Sequence, residues 1–416
     1  MKKPRKKDRF IIKRKNEKNR IKQNKKTGGN SNNDYKSSVS SKKLELRKLH
    51  TELNEWLEKE KKKGLKISSC TKKSQAKKNM IVVHLPAEMD LENNYDKTIQ
   101  TFTAIRKLVE LIEKYSGHHL PKKAAKLGSV NFDKLKKIST SAALILTAEI
   151  SRWDTLLRNK LVPTVELWDD EIYHSFSQLG FFKLFSNKPT KVTETPISNA
   201  NINYVEYFRG SCANSEYARA SKKSLKQKIL SLVGQDVPEW IFLNGGLSEA
   251  VTNVTHHAYP DGEQTWADKS WFLTGSYNKT SEEITVSFYD LGIGIPNSLP
   301  SSKLWEKAVE YMDKFNIPLA KRNMDRILLK AAVNLSRTRT GEDDRGKGLQ
   351  DMLEFIRQRK EGCLSIHSYK GSYTCNFSEG RRHNTSKSYR RPLYGTPGIQ
   401  IISATLMDEW REVANC

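Results

Sequence analysis

Apolar positions along this chain recur with two periods, and the switching between them outlines the fold. Over residues 41–63, Leu44, Leu46, Leu49, Leu53 and Trp56 fall at helical spacing and Gly64 follows, which predicts a helix. Met80-Ile81-Val82-Val83 is an apolar run of strand length. Residues 95–115 place Ile99, Phe102, Ile105, Leu108, Val109 and Ile112 on one side of a second helix. A strand is predicted over 127–132, a long Ala/Leu/Ile-rich helix over 141–161, a strand over 162–167 and a helix over 169–179. Strands alternating with helices imply a mainly parallel sheet covered by helices, so residues 78–187 read as a small α/β domain.

The second half, residues 188–416, has a different pattern. It predicts a strand over 284–289, helices over 304–315, 325–335 and 350–359, and a strand near 399–402. Cys363 and Cys375 fall in a strand–turn–strand and read as packing residues.

Charge changes the picture at the N-terminus. The 416 residues carry 73 Lys and Arg against 47 Asp and Glu, a net charge of +26. The first 80 hold 28 of those cations and only 8 of the acids. Residues 1–40 are rich in Lys, Arg, Asn and Ser, too polar to offset the entropy of ordering, and read as a disordered basic arm. Residues 41–77 then form a helix and linker. Such an arm suits non-specific contact with nucleic acid through phosphates, or simple solvation. The longest apolar run, Ala142 to Leu146, is five residues, far short of the roughly 18 that span a membrane, so no membrane partner is expected. Five scattered cysteines without a Cys-x-x-Cys pair argue against a disulfide framework and fit a reducing cytoplasm.

Three segments carry candidate chemistry. In Leu247-Ser248-Glu249-Ala250-Val251-Thr252-Asn253-Val254-Thr255-His256-His257-Ala258, the residues Glu249, Asn253 and His257 are four apart and line one helix face. A carboxylate there can deprotonate an attacking hydroxyl or water, and an amide oxygen one turn on can hold a hydrated Mg2+. In Asp290-Leu291-Gly292-Ile293-Gly294, a carboxylate at a strand end precedes two glycines that let backbone approach a ligand. In Arg345-Gly346-Lys347-Gly348, glycines open a helix whose free N–H groups and dipole suit a phosphate, with Lys347 adding a charge.

In this order the three segments resemble the GHKL ATPases, and the first is most similar to the helix of anti-sigma-factor serine kinases, Ser-Glu-Ala-x-Thr-Asn followed by His-Ala-Tyr. The resemblance covers about residues 200–410. It implies a Bergerat-type α/β sandwich, a mixed sheet with helices on one face, binding ATP and Mg2+. It implies Glu249 as general base, Asn253 as magnesium ligand, Asp290 as adenine contact, and Gly292, Gly294, Gly346 and Gly348 as a cradle for base and phosphates. Residues between Gly294 and Gly346 would form the ATP lid, with Arg337, Arg339 and Arg345 either reaching phosphates or facing solvent.

The order of elements in 78–187, with Ser139-Thr140-Ser141 at a helix start, resembles the STAS domains of anti-sigma-factor antagonists. Those residues read either as a helix cap, which such side chains favour, or as a phosphate acceptor. Three functions follow: an ATP-hydrolysing or ATP-gated switch, associating into a homodimer as the lid closes; a serine/threonine kinase acting on a STAS partner or on itself; or a nucleic-acid-associated regulator that uses ATP only as a switch. His50-Thr51-Glu52-Leu53 has the look of a phosphoacceptor histidine box but lacks its following Arg-x-Pro-Leu.

Overall fold

The computed structural model describes residues 31–69, 80–114, 125–153, 155–194, 196–211, 215–234, 236–237, 239–258, 270–302, 305–318, 321, 324–335, 348–378, 380–393 and 400–407. The protein is a mixed α/β molecule. The first described helix, α1 (Ser31–Lys62), begins ten residues before the expected start, so residues 31–40 are helical rather than part of an arm. Residues 1–30 lie outside the described residues.

Strands β1 (Ile67–Ser69), β2 (Met80–His84) and β4 (Lys126–Asn131) form a small sheet in the order β1-β2-β4, with β2 and β4 parallel as the sequence predicts. Strands β3 (Glu88–Met89) and β5 (Lys137–Ile138) form a separate parallel pair. Helix α2 (Tyr95–Lys114) covers β2, β3 and β4. The long helix expected over 141–161 is broken. Helix α3 (Thr140–Arg152) ends at Trp153, whose backbone is extended (φ −61°, ψ 146°), and a short α4 (Thr155–Lys160) follows. The strand expected over 162–167 does not form. Pro163 lacks the N–H a ladder needs, and the segment runs to α5 (Asp170–Leu179) without a partner strand. The Asp169 carboxylate caps α5 by accepting from Glu171 N, and Gly180 ends it in the left-handed region at φ 87°.

The rest of the chain builds one large sheet. Its strands are β6 (Ile202–Tyr204), β7 (Phe208–Ser211), β8 (Ser270–Asn278), β9 (Glu283–Asp290), β10 (Gly362–Ser368), β11 (Gly371–Ser378), β12 (Arg381–Ser388) and β13 (Gln400–Met407). The order is β12-β11-β10-β13-β9-β8-β6, with β7 also on β8. Every described pairing in it is antiparallel, so the mixed sheet that the resemblance implied is not what forms. The register sets Leu364 opposite Cys375, and Cys375 is buried, in line with a packing role.

Both faces of this sheet are covered, not one. Successive side chains alternate between faces. On one face, Leu225 and Ile229 of α6 (Ser215–Val233) press on Gly275 of β8, where a Cβ would lie 2.8 Å from Ile229 Cδ1. On the other face α3 is bonded down through polar pairs. Thr140 Oγ1 lies 2.7 Å from Ser276 Oγ, Ser141 Oγ 2.9 Å from Ser287 Oγ, and Tyr289 OH donates to Glu149 at 3.3 Å. Burial pushes the Glu149 carboxyl up, but Arg106 and Arg152 beside it, with hydrogen bonds from Arg106 and Tyr289, hold it below the usual range. One continuous buried cluster therefore runs from Leu53 to Leu393, across the expected boundary at 187.

Helix α2 meets the same sheet face farther along. The Tyr95 ring stacks on Tyr389 at 3.6 Å between centroids and lies 6.1 Å from His367 of β10. Burial lowers the His367 pKa to about 4, with Lys387 adding to the shift and Asp90 opposing it. Native His367 thus stays neutral where an unfolded chain, with a pKa near 6.5, already takes up a proton. Stability should be lost as pH falls from about 6.5 to about 4, by about 3 kcal/mol, with no contribution from this group above that window. Urea unfolding at several pH values should show a smaller acid loss in His367→Leu; an equal loss would place the sensitivity elsewhere.

Candidate functional site

The site is built on α7 (Trp240–His257) and α10 (Gly348–Gln358). These helices run antiparallel: Arg359, just past the end of α10, pairs with Glu239 before α7 at 3.2 Å, while the start of α10 lies against Glu249. Three glycines make the approach possible. A Cβ on Gly245 or Gly246 would overlap Asp351 or Met352, and a Cβ on Gly348 would overlap the Glu249 side chain. Leu243, Leu247, Ala250 and Val254 are buried on α7, and Met352, Leu353, Phe355 and Ile356 on α10, which fixes both helices on the sheet.

Because α10 starts opposite Glu249, the remaining two turns of α7 project beyond its N-terminus. Asn253 sits one turn past Glu249, and both are half-buried. At the far end, Ala258 meets the loop after β9. Its carbonyl accepts from Ile293 N at 2.8 Å, and a Cβ on Gly292 would overlap Ala258. The contacts at 249 and 258 are about 13 Å apart at 1.5 Å per residue. Asn253 lies between them along α7, one turn past the contact of Glu249 with the N-terminal end of α10. That helix end carries roughly half a positive charge and suits an anion.

Asp290 ends β9 and is fully buried. Its Oδ1 accepts from Gly292 N at 2.8 Å, which folds the chain back toward α7. Gly294 has φ 79°, a conformation that favours glycine, and starts a helical turn over Ile295–Ser298 whose first N–H donates to Ser368 Oγ. The structure thus gathers Glu249, Asn253, Gly292, Gly348 and the Asp290 turn around one stretch of α7. Gly346 and Lys347 lie outside the described residues, as do Arg337, Arg339 and Arg345. The side chains of His256 and His257 are likewise outside them.

The segment expected to form a lid contains α8 (Trp305–Lys314) and α9 (Asp325–Leu335), close to their predicted bounds. They share a small separate core of Leu299, Ala308, Met312, Leu328, Ala331, Ala332 and Leu335. Gln350 Nε2 donates to Val333 O at 2.9 Å and ties α9 to α10.

Sequence reasoning missed Lys222. It is buried on α6, and its ammonium donates to Ser248, the residue before Glu249. Burial lowers its pKa, and Arg219 adds to the shift. The signal was present: Ala218, Ser221, Lys222, Leu225 and Ile229 form one inward stripe with a lysine in it. His50 has a structural role, since its Nε2 accepts from Ala125 N at 3.1 Å. Ser139 accepts from Ala142 N as a helix cap, so the cap reading holds for Ser139, whereas Thr140 and Ser141 lie within the helix and are bonded to Ser276 and Ser287 of the sheet. Among the described residues no group of three or more His, Cys, Asp and Glu side chains forms a metal cluster, and no helix is long and apolar enough to cross a membrane.

Gly348→Ala should force α10 away from Glu249, with a loss of about 1–3 kcal/mol in a denaturant titration, the usual range for overpacking. An unchanged midpoint would contradict the close helix contact. Comparison with protein-family models, with curated proteins and with solved structures returns no match to this chain.

Proposed function

We propose that this protein binds ATP with Mg2+ in the manner of the GHKL ATPases and either hydrolyses it or uses it to switch conformation. The observation that carries this reading is the α7–α10 contact. It sets Glu249 at the start of α10 with Asn253 one turn beyond on α7, and the N-terminal end of that helix would take the phosphates in this reading. The loop after Asp290 closes the other end against Ala258, where base and ribose would lie. A Bergerat-type arrangement is retained in this reading for the α7, α10 and β9 layer, although the sheet pairs differently.

The residue types fit the ligand. Asn253 offers an amide oxygen, enough for an ion that keeps most of its waters, and magnesium would supply charge neutralisation at the phosphates. Glu249 would take the proton of the attacking water or hydroxyl. Since α9 is docked on β11 at Gly371 and bonded to Lys370 N through Asp325, α8, which packs on α9, is the part of this segment best placed to move over bound nucleotide.

Within the kinase reading, the buried bonds of Thr140 and Ser141 and the capping role of Ser139 disfavour phosphorylation of this trio in the same chain. A separate protein substrate fits better. Titration calorimetry and a phosphate-release assay test the main reading. Glu249→Ala should keep ATP affinity within about threefold while turnover drops by about 10²–10⁴, the span of a general base. Asn253→Ala should abolish the gain in affinity from added magnesium. Undiminished turnover in Glu249→Ala would remove that residue as base, and no ATP binding by the unaltered protein would remove the function.

A further inference from the structure

The described fold carries a second concentration of charge, away from α7 and independent of the nucleotide reading. Among the described residues, strand β12 is the outer edge of the large sheet and pairs only with β11. From Arg381 to Arg391 the sequence is Arg-Arg-His-Asn-Thr-Ser-Lys-Ser-Tyr-Arg-Arg, with five Lys/Arg and no acid. Alternation puts Arg381, His383, Thr385 and Lys387 on one face of β12, and all four are exposed. Their β11 neighbours are Ser378, Asn376, Thr374 and Ser372, so the two edge strands give this face cations, hydroxyls and an amide, and the Glu92 carboxylate reaches it one strand inward, on Ser365 of β10.

The fold extends this surface with residues 330 positions earlier in the chain. Arg391 pairs with Glu60 of α1 at 2.5 Å, and Glu60 is buried and also accepts from Gln100 at 2.8 Å. This bond holds the last turn of α1 beside the end of the β12 segment. Lys59, Lys61 and Lys62 of that turn are exposed, as is Arg390. Among the described residues none of these four, nor Arg381 or Lys387, forms an ion pair.

We infer that β12 and the end of α1 form a docking surface for the phosphate backbone of a DNA duplex. From Arg381 to Lys387 is about 20 Å along a strand, or about six base-pair steps of ~3.4 Å. Arg, Lys, Ser, Thr and Asn side chains are the groups that contact phosphates. Single strands are bound by stacking bases on open aromatic rings, whereas the rings on this face, Tyr95, Tyr389 and His367, are already stacked on one another. An added peptide strand would find no pocket or apolar row for its side chains. The rim of a B-form major groove, ~12 Å wide, is open to a sheet edge, whereas RNA duplexes hide theirs in a deep narrow cleft. This places the contact on the folded body, not only on the basic residues before α1.

The test uses the full chain and a labelled 20-base-pair DNA duplex, with anisotropy read from 50 to 200 mM salt. R381E/K387E/R390E should bind at least about tenfold more weakly, with the slope of log K against log salt reduced by about 3. A control with three reversals at the opposite, β6 end of the sheet, K160E/K188E/K279E, should change affinity less than about threefold. R381Q/K387Q/R390Q guards against misfolding: with a circular dichroism spectrum and melting temperature like the parent's, it should show the same reduction in slope. Equal effects of the two reversal sets, or no duplex binding by the parent at 50 mM salt, would overturn the inference. Tighter binding of an RNA duplex or of single-stranded DNA would overturn the choice of duplex DNA.

Discussion

The structure depends on a sheet with both faces occupied. On β9, Val286, Phe288 and Asp290 face the α6–α7 layer, while Ser287 and Tyr289 face α3. Apolar contact alone would let α3 slide on the sheet. The hydroxyl pairs at Thr140 and Ser141 and the bond to Glu149 remove that freedom, because a shift by one turn would strand a buried carboxylate away from Tyr289 and Arg106. Leaving such a charge unpaired costs several kcal/mol. The polar seam thus specifies one register for the N-terminal half against the C-terminal half.

On the opposite face, glycine makes the corresponding selection. Packing at Gly245, Gly246 and Gly348 brings α10 so close to α7 that the offset between the helices is determined. That offset leaves two turns of α7 in front of the α10 N-terminus, and Asn253 on the first of them. A larger residue at any of the three positions would open the helix pair and move the amide relative to the helix dipole. The α8–α9 core is separate from the main one, but α9 is also held on the sheet, with Leu329 and Val333 in the main core and Asp325 accepting from Lys370 N at 2.9 Å.

Much of this was legible in the sequence, and the failures have physical reasons. The i, i+4 spacing in α7, the strand end at Asp290 and Gly348 at the start of α10 were readable because local periodicity and glycine placement determine them. The α8 and α9 helices were readable for the same reason. The strand at 162–167 was wrong because apolar alternation does not report whether a partner strand is available, and Pro163 withholds a donor. The early start of α1 was missed because polar helices lack an apolar signal. The docking of α3 on the large sheet was missed because Thr140, Ser141 and Glu149 find their partners at Ser276, Ser287 and Tyr289, more than 130 residues on.

The basic surface shows a related limit of linear reading. In sequence, Lys59 to Lys63 is a cationic helix end, favoured by the helix dipole, and β12 is a charged edge strand of the kind that resists pairing with other chains. Each local reason is sufficient for its own segment, and neither calls for the two to meet. The fold joins them by burying Glu60 with Arg391, which costs desolvation of both charges. Solubility alone would be served as well by dispersed cations. Bringing several unpaired cations from distant segments to one edge raises the local potential instead, a cost in self-repulsion that a polyanion on that edge would offset.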